Sequence, residues 1–416
     1  MRRLDPALIV VLAGISAALH IGKLPPAVPV LRDTLHITLL QAGFLLSLVQ
    51  VAGMTLGLAI GAGADALGPR RTMVLGLVIL SLASLLGGGA STPEALLALR
   101  GAEGVGFLLA SLPAPGLIRR LVVRERLSGM MGLWGAYMPF GTAVALLLGP
   151  AVIALAGWPG WWWLLGVLSL AMAAVLWLAV PAAVDQHPAG GPAGVGAGGT
   201  DGLRARVGRT VRSPGPWLVS VAFATYSAQW LAVVGFLPTI YAQAGLATTY
   251  AAIATALAAA VNMIGNIGSG RLLQRGVPAP LLLQCGYVAM IVGAVLAFAP
   301  WTSATTASVA AVRYGGVLLF STVGGLVPGT LFSVALRVAP DDSTVSTTVG
   351  WMQQWSAAGQ FAGPPIAAWA AARFGGWDVI WWITGAFALA GMGVAAGIAR
   401  FLAGHGGHAA PASGRP

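Results

Sequence analysis

Lys23, Arg100 and Arg313 are the residues of this chain best placed to do chemistry, because each sits inside a long apolar run. A cation deep in a membrane helix costs about 2.5–3.5 kcal/mol on insertion scales unless it faces protein or water, so such residues are functional by default. Lys23, the only lysine, lies in HIGKLPPAVP (20–29), one helical turn after His20 and just before Pro25, Pro26 and Pro29. Prolines remove backbone donors and bend a helix, which frees carbonyls and admits other polar groups. Glu103 follows Arg100 by three residues and shares its helix face. Three cations against one acid favour a negatively charged solute over a sugar or a lipophilic cation. Histidine changes charge near neutral pH and a desolvated carboxyl holds a proton, which makes His20 and Glu103 the candidates for coupling to protons.

Helix rise places Lys23 about 12 Å below one end of its segment, and Arg100 and Arg313 about 9–11 Å deep in theirs. The expectation is that the three converge on one water-filled chamber just off the membrane midplane. Each has a plainer alternative. Lys23 can snorkel along its stem, Arg100 can pair with Glu103, and Arg313 can sit at the rim beside Tyr314.

The elements that position these residues follow from composition. Charged residues are 8% of the chain and hydrophobic ones 57%, with a mean hydropathy of +0.85, which excludes an ordinary soluble domain. Apolar runs long enough to cross a bilayer recur throughout. Twelve spans are expected, near 7–31, 39–62, 72–91, 94–118, 128–156, 160–181, 216–241, 250–270, 279–299, 306–336, 347–371 and 379–402: an all-α membrane protein. The net charge of +11 is spread over alternate loops rather than gathered in a patch, so nucleic acid is not an expected partner. Arg2–Arg3, Arg70–Arg71, Arg119–Arg120 and most other arginines fall on one side, while Arg32 and Arg373 fall on the other. This bias puts both termini in the cytoplasm of a bacterial inner membrane. The first apolar run is read as a retained anchor rather than a cleaved signal, because no soluble domain follows it. The lone Cys285 excludes an internal disulfide and is expected to be a buried thiol.

Residues 182–215, rich in Gly, Pro and Ala, read as a flexible linker ending in Arg204, Arg206, Arg209 and Arg212, near anionic headgroups. It separates a bundle at 1–181 from a second at 216–403, and a tail follows at 404–416. The two bundles repeat each other. Gly157-Trp158 with Trp162-Trp163 and Gly166 matches Gly376-Trp377 with Trp381-Trp382 and Gly385. Arg100 precedes Pro115-Gly116 at the spacing by which Arg313 precedes Pro328-Gly329. Such duplication is characteristic of transporters whose site lies between the repeats.

GAGADALGPRR (61–71), with Asp65, Gly68, Arg70 and Arg71, resembles the loop signature of the major facilitator superfamily. RGAEGVG (100–106) resembles its fourth-span arginine motif, and LLLGP (146–150), with Gly149 and Pro150, its fifth-span motif. GKLPPAVPVL, GRLLQRG (270–276) and GQFAGPP (359–365) are similar to the cyanate permease and nitroimidazole transporter branch. The resemblance implies two pseudo-symmetric six-helix bundles, alternating access, and Asp65 latching to Arg70 and Arg71 on the cytoplasmic side; a solvated basic turn is the alternative. Leu272 stands where the second copy of the loop would carry the acid. The Pro-Gly pairs at 115–116 and 328–329 are candidate bending points.

Further candidates for the cavity wall are Trp134 and Tyr137 in span five, Tyr226 and Gln229 near the place in the second half that His20 holds in the first, Asn262 in span eight, and Gln353 and Gln360 in span eleven. Interhelical hydrogen bonding or packing explains these nearly as well. The tryptophans at 158–163 and 377–382 read as interfacial anchors, and His405 and His408 as solvated residues rather than metal ligands. No nucleophile–base pair, metal motif or phosphate loop is present, so neither enzymatic chemistry nor a cofactor is expected. Together these features describe a monomeric secondary transporter of a small anion, coupled to protons or working by exchange. Efflux of a drug or sugar is the alternative within transport, and a sensor that binds without transporting is the alternative outside it.

Overall fold

The computed structural model describes residues 5–57, 68–123, 126, 130, 133–185, 200–302, 306–341 and 344–406. Asp65, the rest of the 61–67 signature, residues 186–199 of the linker, and His408 lie outside the described residues.

Among the described residues, ten helices are long and apolar enough to cross a membrane. Spans 1 to 4 are Pro6–Leu35, Leu39–Gly57, Pro69–Gly88 and Pro93–Leu121. Spans 5 and 6 form the 43-residue stretch Tyr137–Ala179, broken at Gly157, whose φ of 70° is the left-handed value that favours glycine. The chain doubles back there: a Cβ on Gly149 would lie 3.5 Å from Trp161, so residues either side of the break lie against each other. Spans 7 to 10 are Pro214–Gln243, Thr248–Gln274, Ala279–Phe298 and Ala307–Val338. Span 11 is Val345–Phe374, and span 12 is Trp377–Gly404. The result is the twelve-helix architecture expected from the sequence. Helix starts are set locally. Asp5, Thr92 and Thr306 cap spans 1, 4 and 10, Thr38 forms a capping box on span 2, and proline opens spans 1, 3, 4 and 7.

Several spans break midway. Span 1 is interrupted at Lys23 and span 2 at Leu48–Gln50. Span 4 breaks between Ser111 and Ala114, just ahead of Pro115-Gly116, and span 10 at Gly325, just ahead of Pro328-Gly329. Span 8 breaks at Val261. Leu48 and Val261, like Leu112 and Gly325, occupy equivalent places in the two repeats. Bare glycines let spans meet backbone to backbone: a Cβ on Gly265 would lie 2.0 Å from the Thr322 carbonyl, and one on Gly329 would lie 2.1 Å from Ser269 Oγ.

One buried core draws on spans 7 to 12, with Tyr287, Phe320 and Met352; another draws on spans 1 to 6, with Met73, Leu77 and Phe107. The clusters that join the two sets lie on the side away from the termini. There Leu24, Leu31, Leu45 and Trp158 meet Phe236 and Ala368, and Leu146 meets Val234, Ala256 and Ala259. On the terminal side no buried apolar cluster is shared among the described residues. The crossing there is polar, with Gln354 donating to the Met54 carbonyl at 2.7 Å. Spans 2 and 11 thus stay together while the remaining contact is concentrated at the far side.

The linker departs from expectation. Thr200–Arg212 is a helix, whose Thr210 is fully buried. Cys285 is exposed on span 9, because in a membrane helix apolar neighbours mark a lipid-facing surface as readily as a core.

Candidate functional site

The break in span 1 builds the site. Lys23 occupies the junction between helices Pro6–Gly22 and Leu24–Leu35, and its side chain is fully buried. Its ammonium bonds directly to Glu103 Oε1, donates to Ser84 Oγ at 3.0 Å, and lies 3.4 Å from His20 Nδ1. It also sits 4.6 Å from the centre of the Trp162 ring, within cation–π range. Arg100, 2% exposed, donates from Nη1 to Glu103 Oε2 at 2.6 Å and to the His20 carbonyl at 2.7 Å, and from Nε to the Leu45 carbonyl at 3.0 Å. The His20 and Leu45 carbonyls each lie just before a helix break, so the interruptions in spans 1 and 2 supply acceptors to an arginine on span 4. Trp161 Nε1 donates to the Lys23 carbonyl at 3.2 Å.

A hydroxyl chain continues from this cluster toward the terminal side. His20 Nε2 lies 2.9 Å from Ser169 Oγ, which lies 3.2 Å from Ser16 Oγ. His20 Nδ1 is 3.9 Å from Glu103 Oε1. Titratable and hydroxyl groups from spans 1, 3, 4 and 6 therefore touch in sequence. Arg100 Nη2 is buried and has no hydrogen-bond partner.

Three expectations change here. Lys23 and Arg100 do meet, but through one shared carboxylate, so the cluster carries one surplus positive charge. Among the described residues, the space that Leu24, Leu45, Leu96, Leu99 and Trp162 leave beside Arg100 and Glu103 has no room for water. Arg313 does not join them. Its Nη1 donates to the Ala297 carbonyl at 2.9 Å and its guanidinium lies 5.4 Å from the Trp301 ring centre, a rim position on spans 9 and 10. Equal depth in two helices fixes a level, and says nothing about which way each side chain turns.

The remaining candidates are dispersed. Trp134 and Tyr137 stack on each other at 4.1 Å, and Trp134 fills the space above Gly14, within the first core. Tyr226 accepts from Asn262 Nδ2 at 2.9 Å, and the same amide donates to the Ser321 carbonyl at 2.8 Å, a link among spans 7, 8 and 10. Gln229 donates to the Thr225 carbonyl, and its fully buried Oε1 has no partner. Gln360 accepts from Gln50 at 3.0 Å across the two bundles, whereas Gln353 is exposed.

On the terminal side Arg70 and Arg71 pair with Asp185, each at 3.8 Å. Asp185 Oδ1 also accepts from the Arg70 backbone N–H at 2.9 Å, capping span 3 where Gly68 turns with a φ of 88°. Arg70 stacks over Trp177 at 4.0 Å. Asp185 was not among the sequence candidates, though it is the first acid after span 6 and lies opposite a doubly basic loop. Trp161 and Trp162 were read as interfacial anchors; both are 2% exposed and belong to the Lys23 site.

The comparisons bear on the family and the fold. The sequence profile of the Major Facilitator Superfamily matches residues 7–357. The Methylenomycin A resistance protein of Bacillus subtilis (strain 168) is 27% identical over 152 residues, covering 36% of this chain and 33% of that protein, so the match spans about a third of the relative. Among solved structures, a bacterial homologue of the human lysosomal transporter Spinster in an inward-facing, unoccupied conformation aligns over 95% of this chain and 96% of that one, with a TM-score of 0.77 at 16% identity. The same homologue in an inward-facing, occupied conformation gives a TM-score of 0.75 at 16% identity. With a profile match over most of its length and the twelve-span fold, this chain belongs to the Major Facilitator Superfamily, a family of membrane transporters rather than enzymes.

Proposed function

We propose that the chain is a secondary active transporter of a small monoanion that moves together with a proton. The observation that carries this reading is the buried Lys23–Glu103–Arg100 cluster, in which two cations share one carboxylate and Arg100 Nη2 is left without a partner. Protonation of Glu103 removes the negative charge that both cations share and raises the cluster from one surplus positive charge to two. A monoanion then takes the place of the lost carboxylate charge, with Lys23 and Arg100 Nη2 as its donors. Proton and anion each make the site better for the other, which is a coupling free energy between two ligands. Loading both together leaves the charge of the protein unchanged, so the cycle is electroneutral. His20, Ser169 and Ser16 form the proton's route from the terminal side.

Alternating access follows from the packing. Joined at the far side and in polar contact on the terminal side, the bundles open toward the termini and exchange by rocking about spans 2 and 11. The arginine bias makes that side the cytoplasm. The breaks ahead of Pro115-Gly116 and Pro328-Gly329 are where spans 4 and 10 flex, and Asp185 with Arg70 and Arg71 holds the first bundle's terminal face. The likeness of GKLPPAVPVL to the cyanate permease and nitroimidazole transporter branch supports solutes of that size.

The test is ligand-induced thermal stabilisation of the purified protein by cyanate, nitrate, nitrite, small carboxylates and nitroimidazoles, followed by uptake of any hit in proteoliposomes. A stabilising monoanion whose uptake is lost in Lys23→Gln supports the proposal; uptake unchanged in Lys23→Gln ends it. A second reading, drug export, is favoured by the resistance protein among the relatives. It predicts stabilisation by uncharged compounds and growth protection that survives loss of Lys23.

A further inference from the structure

The helix Thr200–Arg212 is separated from span 7 by one extended residue, Ser213, and carries a basic face. Arg204, Gly208 and Arg212 are four residues apart, and Ala205 and Arg209 lie beside them, so all five share one face. With Ser213 and Pro340 this face lines a cavity of about 530 Å³, within the range of small-molecule sites. Among the described residues its lining holds three arginines, of which Arg209 is paired with Asp341 and Arg204 and Arg212 are the two that face outward. Arg204 and Arg212 are exposed.

The helix is held in place from behind. Arg209 Nε donates to Asp341 Oδ2 at 3.0 Å in the loop between spans 10 and 11, and Trp217 Nε1 donates to the Val211 carbonyl at 2.7 Å. Trp217 packs edge-on against Trp351 and Trp355 with ring centres 5.2 and 5.3 Å apart. Indoles gathered where helices leave the apolar run mark the headgroup level of a bilayer. The cavity therefore lies beside the polar surface of the membrane. Guanidinium groups present paired N–H donors that match phosphate oxygens, and they favour a headgroup whose phosphate charge is not offset by its own cation, as a choline offsets it.

We propose that this groove binds the phosphate of an anionic phospholipid headgroup, gripped by Arg204 and Arg212 and held in place by Arg209. The bound lipid pins the linker helix to the ends of spans 7 and 11, anchoring the second bundle's side of the connection. The proposal stands independently of which solute is carried.

The experiment is native mass spectrometry of the full-length, detergent-purified protein titrated with phosphatidylglycerol and, separately, phosphatidylcholine, each with and without sn-glycerol 1-phosphate as soluble competitor. The expected result is preferential binding of phosphatidylglycerol. Affinity falls about 5-fold in Arg204→Gln and about 30-fold in Arg204→Gln/Arg212→Gln, the usual effect of one and two basic residues beside an anionic headgroup. Arg119→Gln, an exposed arginine at the end of span 4, leaves affinity unchanged. Because the altered side chains are exposed, the variants keep their fold, which an unchanged melting temperature in phosphatidylcholine verifies. Equal affinity of the double variant and the parent, or equal binding of the two lipids, overturns the proposal. Displacement of the lipid by low concentrations of sn-glycerol 1-phosphate also overturns it, since the site then serves a soluble phosphate.

Discussion

Replacing Glu103 with Gln tests the closed ion cluster most sharply, because it leaves Lys23 and Arg100 buried beside each other with no carboxylate. Both cations are 2% exposed or less, and no water-sized space adjoins Arg100. Removing one partner of a buried charge pair costs about 3–5 kcal/mol, most of it from the charge left behind. Lys23→Met is the milder change. It keeps the Arg100–Glu103 bond at 2.6 Å and balances the site at one cation and one anion, so it loses hydrogen bonds worth about 1–3 kcal/mol. The double variant Lys23→Met/Glu103→Gln removes one charge of each sign and is expected to be more stable than Glu103→Gln alone. The resulting coupling energy exceeds about 1.5 kcal/mol, well beyond the scatter of independent sites. The assay is thermal unfolding of the four detergent-purified proteins at one pH and salt concentration, with unfolding midpoints compared within a single detergent. The expected order of stability is parent, Lys23→Met, double variant, Glu103→Gln. Additive effects, or a Glu103→Gln protein as stable as the parent, would mean that water already solvates the cations, and the cluster argument fails.

Other outcomes follow from the same structure. Arg100→Lys cannot reach Glu103 and the His20 and Leu45 carbonyls together; losing one charge-assisted bond worth about 1.5–3 kcal/mol lowers transport about tenfold or more in a proteoliposome flux assay. Asp185→Ala strips the cap from span 3 at a cost of about 0.5–2 kcal/mol, and limited trypsin digestion should then cut faster at Arg70 and Arg71. Gly363→Ala places a Cβ where only 2.0 Å separates it from the Ala228 carbonyl, whereas one on Gly101 meets nothing within 4 Å. Overpacking of about 1–3 kcal/mol is expected for the first and little change for the second, read as melting temperatures.

Much of the architecture was legible before any coordinates. Hydropathy and the duplicated order of motifs are properties of local sequence, and they gave the twelve spans. The Pro-Gly pairs marked the breaks in spans 4 and 10 because proline acts on the turn before it. Arg100 and Glu103 were readable as a pair because three residues on a helix fix their relative direction. The Lys23–Glu103 bond was not readable, since the partners are eighty residues apart and their meeting depends on how spans 1 and 4 are rotated. The same ignorance of rotation misplaced Arg313, which matched Arg100 in depth and motif yet turns to Ala297 and Trp301. Tryptophan identity misled at Trp161 and Trp162. Indole suits both a membrane boundary and a cation's flank, and burial alone separates the two roles. Asp185 carries no local signal, since it lies outside the loop motif that contains Asp65 and meets Arg70 and Arg71 only through the fold.

The central claim is that Glu103 carries the proton that admits the anion. Proteoliposomes containing a pH-sensitive dye and given an inward gradient of a stabilising monoanion measure this directly. The parent protein should acidify the lumen without needing a membrane potential, while Glu103→Gln should move no protons under the same gradient. Equal acidification by Glu103→Gln, or anion entry in the parent with no change in internal pH, would contradict the account.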